Sequence, residues 1–405
     1  MNLNPTARGL INLYIPALLA GIGWGMIIPT IPVLSVYYGV SVGAAAQTVT
    51  AFAMGRFVGM AMSGIILDRF GARVAIVGGS LAAGIAALLA LGTPWFSSLL
   101  ALLLVIGAGD SLWLLGLEVA GIDLVRQDQR GRVISGFHGM SNGGLTLGPL
   151  LGGVLTEAFS FRTVFVGYAI CASTALILGL MARIVRSPVT SQPISRPIKL
   201  FRLKERLQGI IDLFKQIQPH LRATYAVLVI ATTTSIMFRL TTQSMIPVYA
   251  GAYLGFTPSE VGLLFSISGV FVFAMILPAG FILDKIGRKW ATVPSTGLPA
   301  LAYLLIPFAN TFFELAVLIS LTGIANGLSL GSIATSTYDV VPPVARGRLQ
   351  AARRTVAEIG GIGGPLVAGL LANAFSPGVP FLVYAPLLLA SAVLLAVVGR
   401  ETLIK

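Results

Sequence analysis

Long apolar segments, separated by short polar loops, recur along the whole chain. Each segment is roughly 20 residues long or longer, the length an α-helix needs to cross the hydrocarbon core of a bilayer. Six segments precede one long polar stretch and six follow it. This pattern predicts an all-α membrane protein with twelve transmembrane helices. The predicted helices are 9–35, 45–67, 73–92, 97–125, 133–157, 161–183, 221–250, 259–283, 290–309, 312–340, 349–374 and 380–399.

The polar stretch 184–220 divides the chain into an N-terminal bundle, residues 1–183, and a C-terminal bundle, residues 221–405. Apolar residues in this stretch recur at helical spacing with basic residues between them. This spacing predicts an amphipathic helix on the cytoplasmic membrane surface. A solvated tether with incidental amphipathicity is the alternative. The apolar positions are Leu200, Leu203, Leu207, Ile210, Ile211 and Phe214.

Composition supports a membrane location and excludes a soluble enzyme. The chain is 56% hydrophobic and 10% charged, whereas about a quarter of the residues in soluble domains are charged. The net charge of +13 comes mostly from loops on one side of the predicted topology, and the opposite loops, 36–44, 92–97, 251–258 and 375–379, contain no Lys or Arg. Because basic loops stay in the cytoplasm, both termini are predicted to be cytoplasmic. Attraction to anionic lipid accounts for the basic excess, so no nucleic-acid partner is expected.

The sequence gives no support to metal or ATP chemistry. Cys171 is the single cysteine and lies in an apolar segment, so it cannot form an intramolecular disulfide. The two histidines and this cysteine are widely separated, and no metal site is expected. A G-x-x-x-x-G-K-[ST] run is missing, so ATP is not expected to supply the energy. The first apolar segment lacks a small-residue cleavage site and is predicted to be a retained helix.

A ten-residue loop motif occurs twice, 216 residues apart. Each copy follows the second helix of its half, and a second block, beginning with an aspartate, returns at the same offset. Constant spacing across two blocks indicates a duplicated unit. Glycines in the motif permit a tight turn, and its acidic and basic residues can pair at the membrane face. The motif residues are Gly64, Asp68, Arg69, Gly71 and Arg73, with Asp123 in the following block, and Gly280, Asp284, Lys285, Gly287 and Arg288, with Asp339.

The fifth predicted helix carries a second pattern, made of small residues and a proline. Small residues four apart form a groove in which another helix can pack closely, and proline bends the helix. The residues are Gly144, Gly148, Pro149, Gly152 and Gly153.

These features together resemble the major facilitator superfamily over essentially the whole chain, and in particular its twelve-helix drug:proton antiporter branch. The loop motif G-x-x-x-D-[RK]-x-G-[RK]-[RK], present twice, carries the resemblance to the superfamily, and the fifth-helix motif carries that to antiporters. The resemblance implies two pseudo-symmetric six-helix bundles, alternating access, gating by the two loops, and a monomer. It also implies that a proton gradient, rather than a cofactor, supplies the energy, and that Arg288 pairs with Asp339.

The chain departs from the family pattern at two positions. Ala72 stands where the first loop should carry the basic residue equivalent to Arg288. Pairing with Asp123 would therefore require another arginine of that loop. Leu103 stands where these antiporters carry an arginine in the fourth helix, so a mechanism that depends on that arginine does not carry over.

Ionisable side chains at bilayer depth are costly unless paired or hydrated, and they are functional candidates for that reason. Asp110 lies near the middle of the fourth predicted helix, and its counterpart in the second half is the neutral Asn326. We predict that Asp110 binds the coupling proton or the substrate; a structural carboxylate is the alternative. Glu118, two turns further on, is either a second proton site or a member of a gate salt bridge.

Arg239 lies in the seventh predicted helix among several hydroxyl residues and Gln243. It is predicted either to contact substrate or to act as a counter-ion, and a purely structural pairing with Asp110 is equally consistent with its position. Arg56 in the second predicted helix either extends to the interface or pairs with an acid. Aromatic side chains, Trp24 and Trp113 among them, are candidates for the cavity wall.

A further charged set lies at the inner end of the eleventh predicted helix, where Arg354 and Glu358 are spaced to bridge along one face and Arg353 precedes them. The counterpart of Arg354 in the first half is His138, which is able to titrate near neutral pH. We predict an inner-gate cluster here, with Glu358 and His138 as further candidates for proton coupling.

The sequence predicts a secondary active transporter of a bacterial cytoplasmic membrane, most consistent with proton-coupled export of small amphipathic or drug-like compounds. The alternative is a symporter or flippase for an organic or lipid-like anion, recognised by Arg239 and Arg56. A non-transporting receptor on the same scaffold is disfavoured, because both loops retain their motif residues.

Overall fold

The structure is a computed structural model that describes residues 5–123, 125, 130–181, 213–342 and 345–403, with only the backbone described for residues 5–11, 123 and 130–132. Most of the predicted amphipathic helix between the two bundles lies outside the described residues. Within these ranges the secondary structure is entirely helical.

The described residues of the first half form six α-helices. A 3-10 turn, Ile28–Thr30, joins the first two into one continuous rod because its residues stay in the right-handed helical region. The α-helices are α1 Pro5–Ile27, α2 Ile31–Tyr38, α3 Val42–Ala90, α4 Phe96–Asp123, α5 Arg130–Ala158 and α6 Phe161–Met181.

From Arg222 onwards the described residues form seven further α-helices, several of which end in a tighter or wider turn. π-Helical turns follow α7 and α8, at Val248–Tyr253 and Ile282–Ile286, and 3-10 turns lie at Pro219–Leu221 and Ile306–Phe308. The α-helices are α7 Arg222–Pro247, α8 Pro258–Phe281, α9 Lys289–Leu305, α10 Phe312–Ser329, α11 Ser332–Val340, α12 Arg346–Ala374 and α13 Val379–Val397.

Ten helical stretches of the described residues are long and apolar enough to cross a membrane. One of them, Val42–Ala90, contains two predicted helices: α3 is interrupted at Gly71, which has φ +82° and ψ 171°. A glycine adopts this conformation without the steric cost that a Cβ imposes. The predicted helix 133–157 lies within α5, which is outside those ten stretches.

The predicted helix 312–340 is broken into two in the structure. Leu330 is extended (ψ 104°) and Gly331 has φ +84°, so the chain ends α10 at Ser329 and starts α11 at Ser332. The predicted span itself is confirmed, since Phe312–Val340 is one of the ten stretches, and the break lies within it. The apolar pattern continues through the break, and Gly331 supplies a positive φ that a residue with a Cβ adopts only at a steric cost.

Two compact units are present, and they do not coincide with the repeat. One contains the first half together with Gln243–Gly269, which comprises the end of α7 and the beginning of α8. The other contains Pro193–Thr242 and Val270–Lys405.

Glycines in the first unit allow α1 and α5 to pack backbone against backbone. A Cβ at Gly144 would lie 2.0 Å from the carbonyl oxygen of Leu18, and one at Gly152 would lie 2.1 Å from that of Met26. The small residues of the fifth-helix motif thus face α1. Gly153 instead faces the start of α8, where its Cβ would meet the Pro258 carbonyl oxygen at 2.3 Å.

Candidate functional site

The close approach of α3 and α4 builds the centre of the candidate site. A Cβ at Gly55 would lie 2.0 Å from the Leu104 carbonyl oxygen, and one at Gly107 would lie 2.1 Å from the Phe52 carbonyl oxygen. Since small residues let helix backbones approach each other in this way, a side chain on one helix reaches the other directly. The residue next to Gly55 is Arg56, and it reaches α4 here.

Arg56 and Asp110 form an ion pair across this contact, with 3.7 Å between Nε of Arg56 and Oδ2 of Asp110. The carboxylate side chain is 3% exposed and the guanidinium side chain is 47% exposed. Oδ1 of Asp110 is buried without a hydrogen-bond partner among the described residues. One carboxylate oxygen is therefore neutralised by a cation, while the other remains available for a proton or a ligand.

Two further candidates from the sequence, Arg239 and Asn326, belong to the other unit. Arg239 is exposed on α7, and Asn326 is half-buried on α10. The backbone carbonyl of Asn326 accepts a hydrogen bond from the Ser329 hydroxyl at 2.8 Å.

An aromatic pair lies beside the ion pair. The rings of Trp24 and Phe52 stack with centroids 3.6 Å apart and planes 5° from parallel, and Phe52 precedes Arg56 by one helical turn. Nε1 of Trp24 donates a hydrogen bond to Oε1 of Gln243 at 3.3 Å. Two candidates from the sequence, Trp24 and Gln243, are thus brought together with Phe52 in a buried cluster.

Trp113 and Tyr168 are also fully buried in the first unit. Neither Nε1 of Trp113 nor the hydroxyl of Tyr168 has a hydrogen-bond partner in the described part of the chain. Both residues lie in the same unit as the ion pair of Arg56 and Asp110. Sequence reasoning missed Tyr168, because a single tyrosine in an apolar helix carries no positional signal.

The inner charged residues form two separate pairs, one in each unit. His138 on α5 approaches Glu118 on α4, with 3.9 Å between Nε2 and Oε1. Arg354 and Glu358 bridge along α12, with 3.8 Å between Nε and Oε1.

Arg353 differs from its neighbour in being buried. Its guanidinium donates to Oε1 of Gln350, at 3.0 Å from Nε and 2.8 Å from Nη2, and also to the hydroxyl of Thr232. These contacts tie α12 to α7, and they assign Arg353 to helix packing.

The second loop motif contains a complete charge network. Nε of Arg288 lies 3.1 Å from Oδ2 of Asp339, and Nη1 lies 3.2 Å from Oδ1 of Asp284. Nη1 also donates to the carbonyl of Leu283 at 2.8 Å. The predicted pair of Arg288 and Asp339 is thus present, and Asp284 extends it.

The first loop motif makes a different contact. Nη2 of Arg73 donates to the carbonyl oxygen of Leu180 at 2.8 Å, near the end of α6. The side chain of Asp123 lies outside the described residues, so its pairing stays a prediction.

The contact of Arg73 is repeated in the second half. Lys289, the counterpart of Arg73, donates from Nζ to the Ala396 carbonyl at 2.6 Å, and Ala396 is the counterpart of Leu180. The same anchor thus occurs in both halves.

Comparison with known proteins identifies the family of this arrangement. A family model described as Major Facilitator Superfamily matches residues 13–240 and 227–403. A multidrug resistance protein MdtG of Dickeya zeae (strain Ech586) is 28% identical over 256 residues, which cover 62% of this chain and 59% of that protein. A second MdtG, of Enterobacter lignolyticus (strain SCF1), is 25% identical over 273 residues, which cover 65% of this chain and 61% of that protein. The chain thus spans about three fifths of the length of these curated relatives.

Solved structures show the same fold. A crystal structure of peptide transporter POT in complex with sulfate has a TM-score of 0.78 at 13% identity, covering 97% of this chain and 95% of that chain. A crystal structure of nucleoside transporter NupG has a TM-score of 0.77 at 14% identity, covering 97% of this chain and 100% of that chain.

Proposed function

Because this chain belongs to the Major Facilitator Superfamily, we propose that it is a proton-coupled exporter of small amphipathic compounds that works by alternating access. Membership makes the chain a multi-pass membrane transporter of small molecules and not an enzyme. The curated relatives are named multidrug resistance proteins, which supports drug-like substrates. Their bacterial sources support a place in a bacterial cytoplasmic membrane.

The ion pair of Arg56 and Asp110 carries the proton-coupling part of the proposal. An ionised Asp110 holds the guanidinium, whereas a protonated Asp110 has no charge with which to hold it. The two protonation states therefore favour different positions of Arg56, and a transport cycle needs such a differential interaction. The free Oδ1 is the atom at which the proton binds. About half of the Arg56 side chain is exposed, so it has room to move when the pair breaks.

The aromatic cluster supports the substrate part of the proposal. Trp24 and Phe52 stack on each other and give the surroundings of Asp110 an apolar aromatic wall, and aromatic rings attract cations. Gln243 orients the indole through the hydrogen bond to Nε1. A lipophilic cation that enters here competes with Arg56 for the carboxylate of Asp110. Its arrival and the binding of a proton are then mutually exclusive, which is the requirement for antiport.

The test uses the full chain reconstituted into liposomes that contain a pH-sensitive dye. A pH gradient is imposed, and lipophilic cations and organic anions are added in turn. Wild type should show proton flow opposite to the movement of the cation. Asp110→Asn keeps the shape of the side chain but cannot titrate, and we expect it to lose that flow. Glu260→Gln, at the half-buried start of α8, is the control and should behave as wild type.

Two outcomes would contradict the proposal. If Asp110→Asn exports cations against a gradient as well as wild type does, Asp110 is not the proton site. If only anions produce proton flow, and the flow follows the substrate, an anion symporter using Arg56 and Arg239 replaces the exporter.

A further inference from the structure

The residues that follow α13 fold back onto the second loop motif. Oε1 of Glu401 accepts hydrogen bonds from the backbone N–H groups of Arg288 at 2.8 Å and of Thr402 and Leu403 at 3.0 Å each. Oε2 accepts one from the N–H of Lys289 at 3.1 Å. The carboxylate thereby caps the start of α9, where unpaired N–H groups and the helix dipole favour an anion.

The electrostatics of Glu401 agree with this role. Partial burial raises the pKa of the carboxyl, but its four backbone N–H donors lower the pKa by more. The pKa of Glu401 therefore lies below its ordinary value of 4.5. The carboxylate stays ionised at neutral pH and keeps its capacity to accept all four hydrogen bonds.

The same segment contacts the acidic partner of the loop. The hydroxyl of Thr402 donates to Oδ2 of Asp339 at 3.0 Å, and this oxygen also receives Nε of Arg288 at 3.1 Å. The N–H of Arg400 donates to the Thr224 hydroxyl at 3.2 Å, which fixes the segment to α7. Glu401 thus holds Arg288 through the backbone N–H of Arg288. The next residue, Thr402, holds Asp339, the partner of Arg288, through its own hydroxyl.

The loop backbone is shaped to receive Glu401. Gly287 has φ +154°, and a Cβ at this position would lie 2.6 Å from Oε2 of Glu401. Any larger residue would displace the carboxylate from the N–H groups that it caps. A glycine is therefore needed here for close approach as well as for the turn.

The sequence of the first half has no counterpart of either Glu401 or Arg288. The repeat offset places Val185 opposite Glu401 and Ala72 opposite Arg288. Both the capping acid and the loop arginine are therefore missing from the first copy. The anchor of the last basic residue, Arg73 or Lys289, is present in both loops.

We propose that residues 399–403, the C-terminal strap, hold the second gating loop in the geometry in which Arg288 bridges Asp284 and Asp339. Glu401 is the positioning residue through which the strap acts. The role of the strap in transport rests on the proposed function, because it requires that the loop moves during the transport cycle. The structural part, that the strap fixes the loop geometry, is independent of the proposed function.

Hydrogen–deuterium exchange on the full-length protein in detergent tests directly whether the strap holds the second gating loop. Glu401→Ala should raise the exchange rates of the Arg288 and Lys289 amides by about tenfold or more, since their acceptor is lost. Thr402→Val removes one hydroxyl and should leave those two amides nearly unchanged. Arg400→Gln is the control within the strap, because only its backbone N–H contributes to the contacts above.

Transport kinetics test the positioning. For Glu401→Ala we expect kcat to fall about fivefold with KM nearly constant, because the strap contacts the loop and not the substrate. Glu401→Gln keeps one acceptor and should recover part of the rate. Thr402→Val, which perturbs the partner Asp339, should lower kcat in the same way and reports on the strap if Glu401→Ala folds poorly.

The outcomes separate the strap from the transport proposal. Unchanged exchange at both amides in Glu401→Ala overturns the strap. Faster exchange with unchanged kcat overturns its role as a positioning element. Failure of the exporter proposal would appear in the wild-type protein as a lack of substrate-driven proton flow, and the exchange result would still be interpretable.

Discussion

The two oxygens of Asp110 have different surroundings, and this difference has a measurable consequence for stability. Arg56 lies against Oδ2, while Oδ1 is buried and has no partner among the described residues. The carboxylate depends on one cation for its charge compensation. Removal of that cation leaves a buried uncompensated charge, which lowers the free energy of unfolding by more than the intact ion pair contributes to it.

We therefore expect Arg56→Gln to destabilise the protein by about 1–3 kcal/mol, a range reduced for the exposure of the guanidinium. Asp110→Asn in the same chain should restore most of that loss, because the variant then has no charge to compensate. Thermal unfolding of the two single variants and the double variant in detergent forms a double-mutant cycle. Additive losses would show that the two side chains do not depend on each other.

At the scale of elements, the packing of α1 against α5 depends on the lack of a side chain at specific positions. We expect Gly144→Ala to separate the helices, because its methyl group would lie 2.0 Å from a backbone carbonyl oxygen of α1. The expected destabilisation is about 2–4 kcal/mol, with loss of transport.

Gly139→Ala on the same helix is the matched control, since a Cβ there meets nothing within 4 Å. It should be neutral or should stabilise α5 by about 0.5–1 kcal/mol, the usual gain when alanine replaces glycine in a helix. Unfolding temperatures of the two variants compare them directly. Equal effects would show that close packing at Gly144 does not limit stability.

The helices also show which parts of the fold are predictable from the sequence. Apolar length and the repeat predicted the helices well, and the turn at Gly71 came from its place in the loop motif. The break at Gly331 was not predicted, because one glycine within an apolar run looks the same whether its φ is negative or positive. Likewise, the sequence identified Arg56 and Asp110 as two separate candidates. Their pairing depends on the close packing of α3 and α4 at Gly55 and Gly107, and that packing becomes visible only in the structure.

At the scale of the whole molecule, duplication has been kept in some contacts and lost in others. Arg73 and Lys289 both donate to a carbonyl near the end of the last helix of their half, where a cation is favoured by the helix dipole. The motif predicts a basic residue at this position in both halves. It does not predict the acceptor, because every residue has a backbone carbonyl and the sequence does not distinguish one from another. The network around Arg288 has no such counterpart at Ala72.

The proposal that Asp110 is the proton site also leads to an expected response of transport to voltage. Among the described residues Asp110 is the only carboxylate that is buried, so we expect one proton per cycle. Exchange of one proton for a monovalent cation moves no net charge, and the membrane potential then contributes nothing. With an uncharged substrate one charge crosses per cycle, and the potential contributes about 2.3 kcal/mol per 100 mV. Export of a cation from liposomes should therefore be unaffected by a potassium diffusion potential that accelerates export of a neutral compound, and equal acceleration of both would exclude one-for-one exchange.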